Sequence, residues 1–419
     1  MSDELVCTES GEDVILPVLT EWRKQQERAV ARGEAHAPRH SGASRADMIP
    51  QEYIALTAAE LDARIAAAKQ QLGDRVVILG HHYQRDEIIK FADARGDSLK
   101  LAQFAATKSL AEYIVFCGVH FMAESADILS GPQQKVILPN PAAGCSMADM
   151  ANIAEVEHCW ETLGSFGALD LWPAQDGSSK QLAGIIPITY INSAAALKAF
   201  CGQNGGAVCT SSNAKKILSW AFEQGRRVLF FPDEHLGRNT ALSMGILPNE
   251  IIEWDQRKDF GGLPDDVDFS AIRVILWKGF CSTHQRFTPE QIAEAREKYP
   301  NVQVIVHPEC PHYVVEKADA YGSTEFIINK VNQGKPGDVF AIGTEVNMVR
   351  RMAEEHPDMT IFSLDPIVCP CSTMYRIHPA YLCWTLESLV AGKVINQVTV
   401  PKEIAELAKL ALDRMLTIK

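Results

Sequence analysis

Residues 76–83 have the sequence VVILGHHY, an apolar and largely β-branched run that ends in His81, His82 and Tyr83. A near-continuous apolar run is typical of a strand whose sheet is covered by helices on both faces. Ligands of parallel sheets gather beyond the carboxyl ends of the strands. This stretch therefore predicts a buried strand of an α/β fold, with polar side chains placed where such folds bind ligands.

Nine further runs of this type follow, with helical stretches between them. They are YIVFCG from Tyr113, KVILP from Lys135, GIIPITY from Gly184, AVCT from Ala207, RVLFFPD from Arg227, VILWKGF from Val274, VQVIVHP from Val302, VFAIGT from Val339 and TIFSLDP from Thr360. Short apolar strands alternating with helices favour parallel sheets with helices on both faces. Before the first strand, Thr57 and Glu60 have the capping-box spacing, which predicts a helix from Thr57 to Leu72.

The ten runs fall into three sets. Each set opens with a strand that ends in a polar triplet: residues 81–83 (HHY), 190–192 (YIN) and 307–309 (HPE). Each set closes with a strand that is followed by cysteine: Cys145, Cys281, and the pair Cys369 and Cys371. The second and third sets also contain a turn with serine and threonine residues, at 210–212 (TSS) and 322–324 (GST). The pattern predicts three similar three-layer α/β/α units, each bringing a cysteine to one centre.

This organisation implies five segments. Residues 1–74 form an N-terminal extension and helix, and residues 75–150 form the first unit. Residues 151–282 form the second unit, with a surface insertion near residues 161–180. Residues 283–371 form the third unit, and residues 372–419 form C-terminal helices that pack back on the first.

Composition narrows the class of protein. The chain has 419 residues and a net charge of −13, which argues against nucleic acid or an anionic membrane as the main partner. No apolar stretch approaches the ~20 residues that cross a bilayer. The acidic N-terminus lacks the features of a secretory signal. Eleven cysteines spread through a large chain fit a reducing compartment, so we expect a cytoplasmic protein.

Three cysteines from three units suit a metal centre better than disulfides. A [4Fe–4S] cluster on three thiolates leaves one iron open to act as a Lewis acid, and a zinc ion with a Cys₃ set is the alternative. Cys117 fits a buried apolar cysteine, and Cys310 lies in a rigid turn between prolines. Only one of Cys369 and Cys371 is expected to bind the metal, because thiolates this close in sequence seldom share one cluster.

The polar triplets suit acid–base chemistry on a carbonyl substrate. Histidine titrates near neutrality, buried glutamate can be tuned, and tyrosine can donate to an oxyanion. The hydroxyl turns at Thr210 and Gly322 precede helical stretches, so they offer hydroxyls and helix N-terminal amides to a phosphate or carboxylate.

A series of motifs, from about Arg75 to Val390, resembles the quinolinate synthase A family. These motifs are GHHYQ from Gly80, GDSL from Gly96, FCGVHFMAES from Phe116, LPNPAAGCSMAD from Leu138, TYINSAAALKA from Thr189, CTSSNA from Cys209, FPDEHLGRN from Phe231, KGFCSTH from Lys278, HPEC from His307, GSTEFI from Gly322, IGTE from Ile342 and PCSTMYRI from Pro370. The resemblance implies three α/β domains around a pseudo-threefold axis, with the site at the centre. It implies one [4Fe–4S] cluster on Cys145, Cys281 and Cys371.

The resemblance also implies an activity: iminoaspartate and dihydroxyacetone phosphate condense to quinolinate, with loss of phosphate and two waters, in NAD biosynthesis. Iminoaspartate would come from a partner oxidase or dehydrogenase. The residues that it places in the pocket are His81, Tyr83, Ser98, Tyr190, Asn192, Ser211, His307, Glu309 and Thr324.

Roles follow from this carry-over. His81, Tyr83, His307 and Glu309 would be catalytic, with His307 and Glu309 in proton transfers and the tyrosines positioning an enolate and carboxylates. Another cluster-dependent dehydratase is the nearest enzymatic alternative. An iron–sulfur or zinc redox sensor is the non-enzymatic one, which scattered cysteines would also serve.

Overall fold

A computed structural model describes residues 49–107, 111–173, 181–264 and 267–418. The strands, in chain order, are β1 (Val76–His81), β2 (Ala94–Gly96), β3 (Tyr113–Cys117), β4 (Lys135–Ile137), β5 (Trp172–Pro173), β6 (Gln181–Tyr190), β7 (Ala207–Cys209), β8 (Gly225–Phe231), β9 (Ile251–Trp254), β10 (Val274–Trp277), β11 (Gln303–Val306), β12 (Ala320–Tyr321), β13 (Val339–Gly343), β14 (Thr360–Ser363) and β15 (Gln397–Val398).

The helices cover these strands. They are α1 (Gln51–Ile54), α2 (Ala58–Leu72), α3 (Asp86–Ile89), α4 (Ser98–Thr107), α5 (His120–Leu129), α6 (Ile153–Ser165), α7 (Ala195–Gln203), α8 (Ala214–Gln224), α9 (Glu234–Ser243), α10 (Pro289–Lys298), α11 (His312–Val315), α12 (Thr324–Asn332), α13 (Val346–Glu355), α14 (Pro379–Val390) and α15 (Lys402–Thr417). None of these helices is long and apolar enough to span a membrane.

The strands form three sheets that share one strand order. The first sheet contains β4-β3-β1-β2, the second contains β10-β8-β6-β7, and the third is β14-β13-β11-β12. All of these neighbours pair in parallel. The order is the same each time, so the prediction of an α/β fold with three similar short parallel sheets is confirmed. Each of the ten predicted strand runs contains a strand.

Edge strands distinguish the three sheets. β15 adds to the first sheet beside β4, and β5 adds to the second beside β6, both in antiparallel pairs that the sequence analysis did not predict. β9 extends the second sheet in parallel beside β10.

The first and third sheets also repeat at the level of single side chains. Oδ2 of Asp93 accepts a hydrogen bond from the amide of Ile78 at 2.8 Å, and Oδ2 of Asp319 accepts one from the amide of Val304 at 2.8 Å. Each aspartate therefore links the start of an edge strand to the interior strand beside it. The matching sequences, ADA at 92–94 and ADA at 318–320, are a repeat signal that the sequence analysis missed.

β1 is an interior strand of the first sheet, between β3 and β2. All six of its residues are buried, and it pairs with β3 from Val76 opposite Tyr113 to Gly80 opposite Cys117. A Cβ atom at Gly80 would lie 2.7 Å from Cδ1 of Ile89, so glycine here allows α3 to pack closely on the strand.

The helices at the two ends of the described chain pack on different parts of the fold. The predicted helix α2 is present, and Thr57 and Glu60 form its capping box. It packs against α14, where Arg64 forms an ion pair with Glu387. The last helix, α15, packs mainly on α7 and β7. Most of the predicted N-terminal extension, residues 1–48, and part of the predicted insertion, residues 174–180, lie outside the described residues. The segment boundaries stay predictions.

Candidate active site and metal centre

The three sheets point their carboxyl ends at one pocket. In each sheet one strand leads into the polar triplet, the strand beside it is followed within three residues by serine or threonine, and a third strand leads to a cysteine. The pocket is lined by all of the predicted site residues: His81, Tyr83, Ser98, Cys145, Tyr190, Asn192, Ser211, Cys281, His307, Glu309, Thr324 and Cys371. The structure brings this predicted set together, while the roles of its members stay predictions.

Two buried histidines point N–H donors away from the backbone. Nδ1 of His81 accepts from the amide of Tyr83 at 3.1 Å, and Nδ1 of His307 accepts from the amide of Glu309 at 3.3 Å. Burial lowers the pKa of both imidazoles to about 3, so both rings are neutral at pH 7. Because Nδ1 is an acceptor in each neutral ring, the proton sits on Nε2.

Glu309 is the carboxylate at the centre of the pocket's hydrogen bonds. The hydroxyl of Tyr190 donates to its Oε1 at 2.6 Å, and Nδ1 of His284 lies 2.8 Å from its Oε2. Burial acts to raise the pKa of Glu309, but its neighbours hold that pKa below its usual range. Since His307 is neutral, His284 and the Tyr190 hydroxyl are the groups that stabilise the carboxylate.

His284 is a residue that the sequence analysis quoted, within KGFCSTH, without giving it a role. Its side chain is 1% exposed, and its ring stacks on the ring of His307 with centroids 4.5 Å apart. Nε2 of His284 lies 3.1 Å from Oγ1 of Thr344, which in turn lies 2.6 Å from the hydroxyl of Tyr83. The sequence signal that could have identified His284 was its position three residues after Cys281, a predicted metal ligand.

The three predicted cysteine ligands lie in three equivalent turns. A single turn of 3₁₀ helix begins three residues after each: Ala148–Met150, His284–Arg286 and Met374–Arg376. In each turn the cysteine carbonyl accepts from the amide four residues on, at 3.1, 2.9 and 2.9 Å. The amide three residues on hydrogen-bonds the sulfur itself and acts to lower the thiol pKa.

The thiols are close enough to influence one another. Burial raises the pKa of Cys145 to about 12, with a further contribution from Cys371. Burial also raises the pKa of Cys281 well above its usual value, and Glu309, Cys371 and Cys145 each add to that shift. A bound cation would reverse this by displacing the thiol protons. Three thiols with amide donors to sulfur, gathered in one pocket, fit a three-cysteine metal cluster.

A second donor set overlaps the first. Ligand atoms of Cys281, His284 and Glu309 all lie within 4.8 Å of one another. Sulfur, imidazole nitrogen and carboxylate oxygen are all zinc ligands. The site can therefore hold a metal, and its donors leave both the iron and the zinc alternatives of the sequence analysis open.

The other cysteines that the sequence analysis weighed lie outside the pocket lining. Cys117 is fully buried in β3, Cys310 is fully buried with its thiol 3.7 Å from the carbonyl of Gly343, and Cys369 is exposed. Each has the environment expected of a cysteine without a ligand role.

Two buried polar atoms of the pocket lack hydrogen-bond partners among the described residues. They are Oδ1 of Asn192 and Oγ1 of Thr324. Thr324 is the first residue of α12 and Ser98 the first of α4, while Ser211 lies three residues before α8. No lysine or arginine is among the described residues that line the pocket. Anions there would be bound by hydroxyls, amides and helix N-termini.

Comparisons with known proteins agree with this site. A family model described as quinolinate synthetase A protein matches residues 63–417. Quinolinate synthase of Corynebacterium glutamicum is 55% identical over 384 residues, which is 92% of this chain and 92% of that protein. Quinolinate synthase of Geobacillus thermodenitrificans is 52% identical, and that of Bacillus subtilis is 50% identical; each match covers 89% of this chain and 97% of the relative.

Proposed function

The chain belongs to the quinolinate synthetase A family and is an enzyme of NAD biosynthesis, and from this premise we propose that it condenses iminoaspartate with dihydroxyacetone phosphate. The products would be quinolinate, phosphate and two waters, which balances the atoms of the two substrates. The observation that carries the proposal is the pocket itself, where each of three sheets contributes polar strand ends, a hydroxyl and a cysteine. The residues that line this pocket are compatible with both anionic substrates, because hydroxyls and helix N-termini can bind carboxylate and phosphate groups.

We propose that Cys145, Cys281 and Cys371 hold one [4Fe–4S] cluster per chain. The three equivalent turns and the amide donors to sulfur support this choice of ligands. With three protein thiolates, the bound cluster would supply an iron with an open position, which acts as a Lewis acid for the loss of water. Zinc in the overlapping donor set remains the competing assignment.

The anionic groups of the substrates would be held by the unpaired atoms. Thr324 and Ser98 begin helices, where a hydroxyl and free backbone amides together bind a carboxylate or phosphate. Asn192 and Ser211 complete this set from the second sheet. The support is that Asn192 and Thr324 have buried atoms without partners among the described residues.

Proton transfers would be carried out by Glu309 and His307. Glu309 is ionised, so it can accept a proton from the carbon or nitrogen that reacts. His81 and His307 are neutral, and their Nε2–H groups can donate hydrogen bonds to a developing oxyanion. The hydroxyls of Tyr83 and Tyr190, with pKa values that burial raises, stay protonated and would position the enolate and carboxylate groups.

Iminoaspartate must be made by another protein, so we propose a functional link to an oxidase or dehydrogenase that acts on aspartate. The many free cysteines support a reducing compartment, and we propose the cytoplasm.

The test is turnover under anaerobic conditions. Protein purified without oxygen would be analysed for iron and sulfide, then given iminoaspartate and dihydroxyacetone phosphate. We expect bound iron and sulfide, and quinolinate as the product. Protein that binds the cluster but forms no quinolinate would refute the substrates, and active protein that contains only zinc would refute the cluster.

A further inference from the structure

The cysteine turns that follow the second and third sheets repeat one sequence. Residues 281–289 are CSTHQRFTP and residues 371–379 are CSTMYRIHP, so cysteine, serine, threonine, arginine and proline recur at the same spacing. Each proline begins a helix, α10 in one case and α14 in the other. The first turn, CSMADM at 145–150, has methionine in place of the arginine. The residues five positions after the three cysteines are therefore Met150, Arg286 and Arg376.

Arg286 connects the second turn to the segment that leads into the third. Its Nε and Nη2 donate to Oδ2 of Asp365 at 2.9 and 2.7 Å. Asp365 lies between β14 and Cys371 and is 8% exposed. Its Oδ1 accepts from the amide of Ile367 at 2.9 Å, so the same carboxylate also holds the backbone that leads to Cys371.

Arg376 connects the third turn to the segment that leads into the first. Its Nη1 donates to the carbonyl of Ala142 at 2.8 Å, and its own carbonyl accepts from Nδ2 of Asn140 at 2.9 Å. Both partners lie between β4 and Cys145. Oδ1 of Asn140 also accepts from the amide of Ala142 at 3.0 Å. Arg376 therefore holds this segment as a donor and as an acceptor.

Met150 connects the first turn to the segment that leads into the second. Its carbonyl accepts from Nε1 of Trp277 at 2.7 Å and from Nε2 of Gln256 at 3.2 Å. Its sulfur lies 3.4 Å from the amide nitrogen of Phe280, the residue before Cys281. Trp277 is fully buried at the end of β10, so the contact joins the first turn to the second sheet.

Together these contacts form a closed ring. The first turn contacts the segment before the second cysteine, the second turn contacts the segment before the third, and the third turn contacts the segment before the first. The three linking residues are absent from the described residues that line the pocket. Because each cysteine follows a different sheet, the ring restrains the turns relative to one another in a way that no single sheet does.

We propose that Met150, Arg286 and Arg376 are positioning residues, which hold the three thiols at the spacing of the bound metal before the metal binds. The inference rests on the proposed function in one respect, namely that the three cysteines bind the metal. Ligands that are already in place lose less conformational entropy on binding, so the closed ring increases the affinity for the metal. Opening the ring at one point therefore speeds release of the metal from a protein that stays folded.

Substitutions at the two arginines open the ring at one point each. Arg286→Met and Arg376→Met keep an unbranched side chain and remove the N–H donors. Both arginines are exposed, so neither substitution leaves a cavity in the core. We expect iron release from each anaerobic holoenzyme to a ferrous chelator to be roughly 3- to 10-fold faster, from the loss of one or two hydrogen bonds. Trp277→Phe, which removes a donor to Met150, tests the third link in the same assay.

Two further variants separate the ring from a general effect of losing an arginine. Arg376→Lys keeps one donor for the carbonyl of Ala142, so it should release iron more slowly than Arg376→Met. Arg296→Met is the matched control, because Arg296 contacts Asp319 and the carbonyl of Lys317, each at 2.9 Å, and does not line the pocket. Arg376→Lys that is no better than Arg376→Met, or equally fast release from Arg296→Met, would overturn the proposal.

The double variant Arg286→Met/Arg376→Met distinguishes a closed ring from separate contacts. The first substitution already opens the ring, so the second should add less than its effect alone. Single-variant effects that multiply in the double variant would overturn the ring.

Binding of Co²⁺ to cluster-free protein is a second readout, which does not depend on activity. Thiolate-bound Co²⁺ absorbs visible light, and we expect the affinities to follow the same ranking as iron retention. Wild-type iron release and Co²⁺ affinity in both Met variants would overturn the proposal. If the wild type contains zinc, the same ranking for zinc release supports the ring, and only the cluster assignment fails. Wild type that binds iron but forms no quinolinate counts against the proposed substrates alone. Wild type that binds none of these metals overturns the metal centre and the ring's role together.

Discussion

The hydroxyl of Tyr190 donates a hydrogen bond of 2.6 Å to Oε1 of Glu309, although the two residues are 119 positions apart. Tyr190 ends a strand of the second sheet, and Glu309 follows a strand of the third. Both side chains are buried, at 5% and 3% exposure. A hydrogen bond to a buried carboxylate is among the stronger ones that a protein makes. The contact therefore fixes a candidate base across the junction of the second and third sheets.

Removing this hydroxyl should lower the rate without unfolding the protein. Tyr190→Phe keeps the ring and leaves Glu309 without one donor, so we expect kcat for quinolinate formation to fall roughly 10- to 100-fold. Tyr53→Phe is a matched control, because Tyr53 donates to Glu387 at 2.8 Å far from the pocket. An equal loss of kcat in the two variants would contradict a special role for the Tyr190 contact.

Thr324 should affect binding of the anionic substrate more than stability. Its Oγ1 is buried without a partner among the described residues, so Thr324→Val breaks no hydrogen bond of the ligand-free protein. We expect KM to rise roughly 3- to 10-fold, from the loss of one hydrogen bond to substrate. Thr385, in α14, also has a buried Oγ1 with no partner in the described part of the chain, but it does not line the pocket. Unchanged KM in Thr324→Val, or a similar rise in Thr385→Val, would refute the assignment.

The buried Lys198 predicts a pH dependence of stability. Burial lowers its pKa from 10.5 to about 8, despite the nearby Glu124, and its ammonium donates to the carbonyl of Ser193 at 2.5 Å. Between those two pKa values the unfolded chain binds more protons at this site, so the free energy of unfolding rises with pH. The gain over that range is on the order of a few kcal/mol.

Lys198→Met isolates this contribution. The free energy of unfolding of wild type minus that of the variant should increase between pH about 7.5 and about 9.5, as measured by urea denaturation. A difference that stays constant or decreases over this range would show that Lys198 keeps its ordinary pKa.

Two adjacent arginines, one buried and one exposed, contact the same aspartate, Asp86. Arg351 contacts Asp86 at 2.6 Å and donates to the carbonyls of His82 and Gln84, on either side of Tyr83. Arg350 contacts the same Asp86 at 2.9 Å, with 58% of its side chain exposed. We expect Arg351→Ala to cost about 1–3 kcal/mol of unfolding free energy, because the carbonyls of His82 and Gln84 lose their donor, and to lower turnover. Arg350→Ala should cost about 0–1 kcal/mol.

Urea denaturation and the quinolinate assay measure both arginine variants. Similar costs for the two would mean that the backbone around Tyr83 does not depend on the Arg351 guanidinium.

Local patterns in the sequence predicted most of the residues that form the site. Apolar runs end where buried strands end, so the triplets at His81, Tyr190 and His307 could be placed at one end of each sheet without knowing how the sheets meet. The cysteines that follow a strand of each sheet were placed in the same way, but the turns that hold them were not predicted. The two-residue strand at Ala320 and the three-residue strand at Ala94 were not predicted, because each is too short to show an alternating pattern of apolar residues.

Other features depend on distant parts of the chain. His284 contacts residues that are 25 and 60 positions away along the chain, and nothing near it in sequence indicates either partner. Lys198 lies in a helix that is buried on all sides by the sheet and by α15, which turns an ordinary charged residue into a fully buried one. Such environments are set by packing between elements, which sequence periodicity does not describe.

The central claim is that three sheets each supply one cysteine to a metal cluster, and iron and sulfide analysis of anaerobic cysteine variants tests it most directly. Cys145→Ala, Cys281→Ala and Cys371→Ala should each lose the cluster and quinolinate formation. Cys117→Ala and Cys369→Ala should keep both, because neither side chain lines the pocket. Full iron and sulfide in any of the first three variants, or loss of the cluster in Cys369→Ala with retention in Cys371→Ala, would contradict the account.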